Sequence, residues 1–401
     1  MERQVLMNNE GATLFRTCLN GLNALSGVGL LSIPFALSEG GWISLIALFI
    51  LATICYYMGI LLHRCMELKP HIKTYPDVGA LAFGSPGRVI VAIFVYLESY
   101  LVAVEFLIMG GDGLERLFPN EGFRVGGVRI DGRKMYMMVT ALVILPTTWP
   151  RSFGALAYIS FGGILGSICL TFCVLWAAVV DGVGFKQKGA VLKFQGLPTT
   201  LSLFTFCYCA HVVFPSLRSS MRNKTHFSKV LLVSFMLSTI NYSSMAILGY
   251  LMYGENIESQ ITLSLPQHKI NTKIAIFTSL VNPLSKYGSI MYPIAHAIED
   301  SSPLLATPVM SITIRTLLLV TTLIVAMSIP FFAYVMAFIG AFAGVATSIM
   351  IPCICYLKIN QDVRKFGWKL MFISLIMLMG SCIGVVGTYT SIKEVIKRLQ
   401  N

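Results

Sequence analysis

The stretch Leu25-Ser26-Gly27-Val28-Gly29-Leu30-Leu31-Ser32-Ile33-Pro34 lies inside an apolar run of bilayer length, and its reading decides the fold. Two glycines raise the backbone freedom of the segment, while Pro34 lacks a donor and excludes the carbonyl four residues earlier. A spanning helix with this punctuation is expected to break near its middle. Unpaired backbone at membrane depth is tolerated only against protein or a water-filled cavity, so a break here predicts a cavity.

The rest of the chain supplies the membrane. Of 401 residues, 56% are apolar and 12% charged, against roughly 25% charged in an ordinary soluble domain. Mean hydropathy is +0.75, carried by separate runs of about 20 residues, the length a helix needs to cross the hydrocarbon. Transmembrane barrels use short alternating segments and are excluded. About eleven transmembrane helices are expected, at 13–37, 42–64, 88–111, 134–150, 153–180, 198–219, 228–253, 271–297, 308–329, 331–357 and 369–393. The whole chain reads as one all-α polytopic membrane domain with no soluble part. Its net charge of +12 sits mostly in short loops beside the spans, which points to anionic lipid headgroups and away from nucleic acid. Basic residues are nearly balanced between the two sides; those in the 2–3, 6–7 and 10–11 loops favour an inside N-terminus. No cleavable signal peptide is expected, because Met1 to Gly11 is polar and the first apolar run is long and interrupted.

The sixth span has a matching position. Thr205-Phe206-Cys207-Tyr208-Cys209-Ala210-His211 precedes Pro215 and is the most polar part of that run. Interrupted helices five spans apart point to an inverted repeat, since an odd number of spans turns the second half over. The repeats would cover about 13–180 and 198–357, with an extra helix at 369–393. Two kinked helices with small residues at their contacts are the plainer alternative. A half-helix starting near Gly29 presents free N–H groups and a positive dipole end to a carboxylate. Carbonyls freed at the break can accept from an ammonium, so a zwitterionic amino acid matches both.

Ionisable residues at membrane depth are functional candidates because burying charge is costly. Glu98 is placed near the middle of the third span as a proton site or the partner of a buried cation, with Glu105 two turns on along the same face. In the eighth span Asn282, Ser285, Lys286 and Ser289 form one polar face, and Lys286 is too central to snorkel. It reads as a fixed or titrating cation, or else as a structural partner for a carboxylate. Asn20 and Asn23 share a face with Gly27, and His211 stands beside the second expected break. His296, near the end of the eighth span, is a weaker candidate. The cysteine pairs Cys207/Cys209 and Cys353/Cys355 have poor spacing for zinc, and neither a catalytic motif nor a cofactor-binding fingerprint is found, so no metal, cofactor or enzymatic activity is expected.

Four stretches give the chain a resemblance to the amino acid/auxin permease family and, within it, to plant vacuolar amino acid transporters. They are Asn20 through Ala36, Tyr75-Pro76-Asp77-Val78-Gly79-Ala80-Leu81-Ala82-Phe83-Gly84, Glu105-Phe106-Leu107-Ile108, and Asn282-Pro283-Leu284-Ser285-Lys286-Tyr287. The resemblance implies a LeuT-type fold of two five-span inverted repeats plus an eleventh helix, with spans 1 and 6 broken. It implies alternating access, proton coupling and amino acid transport across an intracellular membrane, the vacuolar membrane first. Carried over by position, Ser26, Gly27, Val28, Gly29 and Leu30 with the Cys207–His211 segment, Cys207, Tyr208 and His211 among it, would form the substrate site, and Asn23 joins it through the face it shares with Gly27. Glu98, Asn282, Ser285 and Lys286 would serve coupling, with Lys286 standing where sodium-coupled relatives place a cation. The substrates expected are neutral amino acids. An amino acid sensor that binds without net transport is the alternative. This chain departs from the family where it reads Gly110-Gly111-Asp112-Gly113 in place of Glu-Gly-Asp-Asn, so the outer end of the third span is expected to gate differently.

Overall fold

The computed structural model describes residues 11–69, 72–119, 122–125, 128–149, 156–329, 331–360, 363 and 367–400. Helix α1 covers Leu14–Leu25 and α2 Gly29–Gly40, with their axes bent 50° apart. Next come α3 (Ser44–Glu67), α4 (Tyr75–Leu117), a short antiparallel hairpin of β1 (Phe123–Val125) with β2 (Val128–Ile130), α5 (Gly132–Thr148) and α6 (Leu156–Val179). The second half runs through α7 (Leu197–Cys207), α8 (Phe214–Ser219), α9 (Phe227–Tyr253), α10 (Ile261–Ser264), α11 (Ile270–Glu299) and α12 (Pro308–Ser328). The chain closes with α13 (Phe332–Ile339), two π-helical turns over Gly340–Gly344 and Ala346–Met350, α14 (Ile351–Ile359) and α15 (Trp368–Gln400).

Helix is found within each of the expected spans where residues are described, but among the described residues seven helices are long and apolar enough to cross a membrane, and the bent pair α1–α2 makes an eighth. The others fall short for visible reasons. Helix α5 has 17 residues, α7 and α8 have 11 and 6, and the polar face of α11 lowers its hydropathy. Outward faces are greasy, with Leu142, Phe172, Val385 and Leu378 each more than 60% exposed. Inward faces hold much of the polarity, including Thr17, Thr200, Thr205, Thr322 and Thr347, all fully buried. Among the described residues, that distribution suits a hydrocarbon solvent, in which backbone and hydroxyl groups must find partners inside the bundle.

Helix α4 begins at Tyr75, where Thr74 and Asp77 form a reciprocal capping box, and its 43 residues are two helical stretches joined at Gly84, whose φ of 68° and ψ of −154° are not helical. The expected third span, 88–111, lies wholly within the second stretch. One expectation needs correction: Pro34 does not break the first span; it lies inside α2, costing one rung of the ladder, and its ring packs on Gly249 of α9. Pro150, taken as the end of the fourth span, lies outside the described residues, and Pro146 is within α5.

Candidate functional site

The first break is made by Ser26, Gly27 and Val28. Ser26 leaves helical geometry (φ −77°, ψ 77°) while its amide still bonds the Leu22 carbonyl. The Gly27 amide turns back to the Leu25 carbonyl at 2.9 Å, and the Leu30 and Leu31 amides reach the Gly27 and Val28 carbonyls. These tight turns leave the Val28 and Gly29 amides at the positive end of α2, the place a carboxylate is stabilised. The second break is longer. After Cys207 the amides of Tyr208, Cys209 and Ala210 make short-range bonds to the Thr205, Phe206 and Tyr208 carbonyls, and helix resumes at Phe214 with Pro215 in its first turn.

The breaks touch each other. A Cβ on Gly29 would stand 2.8 Å from the Cys207 sulfur, so only glycine permits this approach, whereas a Cβ on Gly27 would meet open space. The phenol of Tyr242, on α9, donates to the Leu25 carbonyl and lies 3.2 Å from that of Cys207, joining the ends of α1 and α7 through one hydroxyl.

Lys286, on α11, closes the other side of the first break. Its ammonium donates to the Asn23 carbonyl at 2.8 Å and to the Ser26 carbonyl at 2.9 Å. These oxygens end α1, where helical carbonyls lack partners and the dipole is negative, so a cation there is stabilised by hydrogen bonding and by field. Glu98 does not neutralise it, as the sequence allowed: the buried carboxylate accepts from the Thr347 hydroxyl in the second π-helical turn at 2.5 Å. Thr347 is bound from both sides, since its carbonyl accepts from the Tyr75 hydroxyl. The side-chain oxygens of Asn23 and Asn282, both 8% exposed, have no protein donor among the described residues and converge beside Gly163 of α6. Each can accept from an ammonium or a water.

A cavity of about 10 Å³ lies against the break, walled by Gly27, Leu30, Met109, Ser167, Ser279 and Asn282. That is room for about one water molecule. The structure thus brings Asn23, Ser26, Gly27, Val28, Gly29, Leu30, Cys207, Asn282 and Lys286 around the two breaks. It sets others apart. The hydroxyl of Tyr208 bonds Thr239, and His211 has Nε2 2.9 Å from the Cys55 carbonyl and its ring against Phe214 and Phe235, while its buried Nδ1 has no partner among the described residues. The Ser285 hydroxyl returns to the Asn282 carbonyl of its own helix. Glu105 is buried with neither carboxyl oxygen bonded among the described residues.

Tyr242, Thr347, Met109 and Ser167 were not singled out from the sequence. A tyrosine or threonine in an apolar run gives no signal of its own; only the position of α9 and α13–α14 across the breaks reveals them. At the departure noted above, Asp112 forms an ion pair with Arg133 of α5 and accepts from Gln260, just before α10, at 2.6 Å. That end of α4 is therefore tied to two other elements.

Residues 10–393 match the family model described as "Transmembrane amino acid transporter protein". Two Arabidopsis thaliana proteins are each 43% identical: amino acid transporter AVT1I over 98% of both chains, and AVT1J over 98% of this chain and 93% of its own. The vesicular GABA transporter of Caenorhabditis elegans is 24% identical over 98% of this chain and 82% of its own.

Proposed function

We propose, from the premise that this chain belongs to the transmembrane amino acid transporter family, that it is a proton-coupled secondary carrier of neutral amino acids in an intracellular membrane, working by alternating access. The vacuolar membrane is the first assignment. The observation that carries the coupling reading is the Lys286 ammonium on the Asn23 and Ser26 carbonyls. A protonated lysine ties α11 to the end of α1, whereas a neutral amine keeps fewer donors and lacks the charge that the carbonyl dipoles favour. Protonation and the position of α1 are then one equilibrium. Glu98 with Thr347 is the second proton station in this reading.

The substrate sits at the breaks, its carboxylate on the Val28 and Gly29 amides and its ammonium on freed carbonyl and amide oxygens. Neutral side chains are favoured because the small cavity is walled by glycine, apolar side chains, serine and asparagine, with no charged group among them. That cavity must widen to admit any amino acid, which is what alternation between two open states provides. Eleven spans in a LeuT-type inverted repeat account for two breaks five spans apart and in contact.

The test is uptake of a panel of labelled amino acids into proteoliposomes with and without an imposed pH gradient. Accumulation that follows the gradient is expected. Saturable binding without accumulation would overturn the carrier in favour of a sensor, and uptake indifferent to the gradient would overturn the coupling.

A further inference from the structure

We propose that Tyr242 is the positioning residue of the substrate site: its hydroxyl straps the two broken helices together and sets the spacing between the main-chain ends that face the substrate. This rests on the reading of the breaks as the amino acid site. The hydroxyl reaches the carbonyls that end two different helices, Leu25 on α1 and Cys207 on α7, from a third helix, α9. A phenol has one proton and two strong acceptors before it, so it serves one carbonyl fully and the other weakly. The Leu25 carbonyl also receives the Gly27 amide, so it anchors the turn that forms the break.

The ring is fixed independently of that bond. Tyr242 is 1% exposed and its ring meets that of Tyr208 edge to face at 5.8 Å, while Tyr208 is itself held by Thr239. A rigid ring carrying a hydroxyl between two carbonyls acts as a gauge of fixed length. An ammonium docking between the ends of α1 and α7 meets the Cys207 carbonyl, which the phenol serves only weakly, already aimed and without the entropy cost of positioning it. The spacing also defines where the ammonium stands relative to the Val28 and Gly29 amides, and so how far it lies from the carboxylate. Tyr242 therefore selects α-amino acids over amino acids whose ammonium is one carbon further away.

The experiment compares wild type, Tyr242→Phe and Tyr242→p-aminophenylalanine, which restores a donor at the same place. Each is reconstituted and tested with the best transported L-amino acid of the panel and with its β-homologue. Loss of the hydroxyl is expected to raise KM for the L-amino acid roughly tenfold, the effect of one hydrogen bond of about 1.4 kcal/mol, with maximal rate changed less than about threefold and the preference over the β-homologue reduced. The aminophenyl variant is expected to recover both KM and preference. A Tyr242→Phe protein with unchanged KM and unchanged preference overturns the proposal. So does one that loses maximal rate and thermal stability in step while KM and preference stay put, because that marks a purely structural bond. Gly29→Ala, measured alongside, separates the premise: if it transports normally, the site itself is misplaced, whereas if it is impaired and Tyr242→Phe is not, only the strap fails.

Discussion

Gly29→Ala tests the contact between the two breaks, and its size follows from the geometry. The added methyl carbon would stand 2.8 Å from the Cys207 sulfur, where heavy atoms in contact lie about 3.5–4 Å apart. The ends of α2 and α7 must then part by about 1 Å. Overpacking of this kind costs about 1–3 kcal/mol. If the strain falls on the state that closes around the amino acid, initial uptake drops roughly 5- to 150-fold. Removing the sulfur leaves the Cys207 Cα at 3.3 Å and its Cβ at 3.5 Å, contacts a small adjustment accommodates. Gly29→Ala with Cys207→Ala is therefore expected to recover most of the loss, while Cys207→Ala alone changes little. The assay is the initial rate per reconstituted transporter for all four proteins, with thermal melting in detergent as the control for folding. Wild-type uptake by Gly29→Ala would refute the reasoning, and so would a double variant no better than the single one.

Two other outcomes follow from charged contacts. Lys286→Ala removes the two donors on the Asn23 and Ser26 carbonyls, and bonds from a charged donor contribute about 1.5–3 kcal/mol; accumulation driven by a pH gradient should fall roughly 10- to 100-fold while binding of the same amino acid, read by thermal shift, falls less. Arg133→Ala strips the ion pair from Asp112 and leaves that buried carboxylate with Gln260. Because Arg133 is itself partly exposed, the expected loss is about 3 kcal/mol, the low end for a broken buried pair. It should appear as a lower melting temperature in detergent that Asp112→Asn in the same protein largely restores.

What could be read from the sequence depended on how local the signal was. Both breaks were legible, because Ser26-Gly27-Val28-Gly29 and the polar run before Pro215 announce lost helix in the residues that lose it. The polar face of α11 was legible for the same reason, through the spacing of Asn282, Ser285 and Lys286. What Lys286 binds was not, since the carbonyls of Asn23 and Ser26 lie more than 250 residues away and any chain has carbonyls. For His211 the sequence shows a place beside a break but not that helix α3 brings the Cys55 carbonyl to its Nε2. Pro34 misled, because the backbone had already been released at Ser26 and the proline only had to fit the helix that followed. The tenth span gave no warning of its π-helical turns, although Gly340 and Gly344 sit where a side chain would strike Ser202, Phe206 or Cys209.

The meeting of the two breaks has a consequence for how such a protein can diversify. In the proposed site most groups facing a zwitterion at the breaks would be main-chain amides and carbonyls, the same whatever residue carries them, with the Asn23 and Asn282 side-chain oxygens beside them. Replacing side chains one at a time with alanine would therefore leave most of the recognition surface untouched and under-report the site. On the proposed reading, cargo preference would instead be written in the residues that aim the main chain or wall the cavity, such as Tyr242, Met109 and Ser167. Two members of this family sharing every residue of the Ser26–Leu30 segment could then carry different amino acids, and the differences to look for lie on the helices around the breaks.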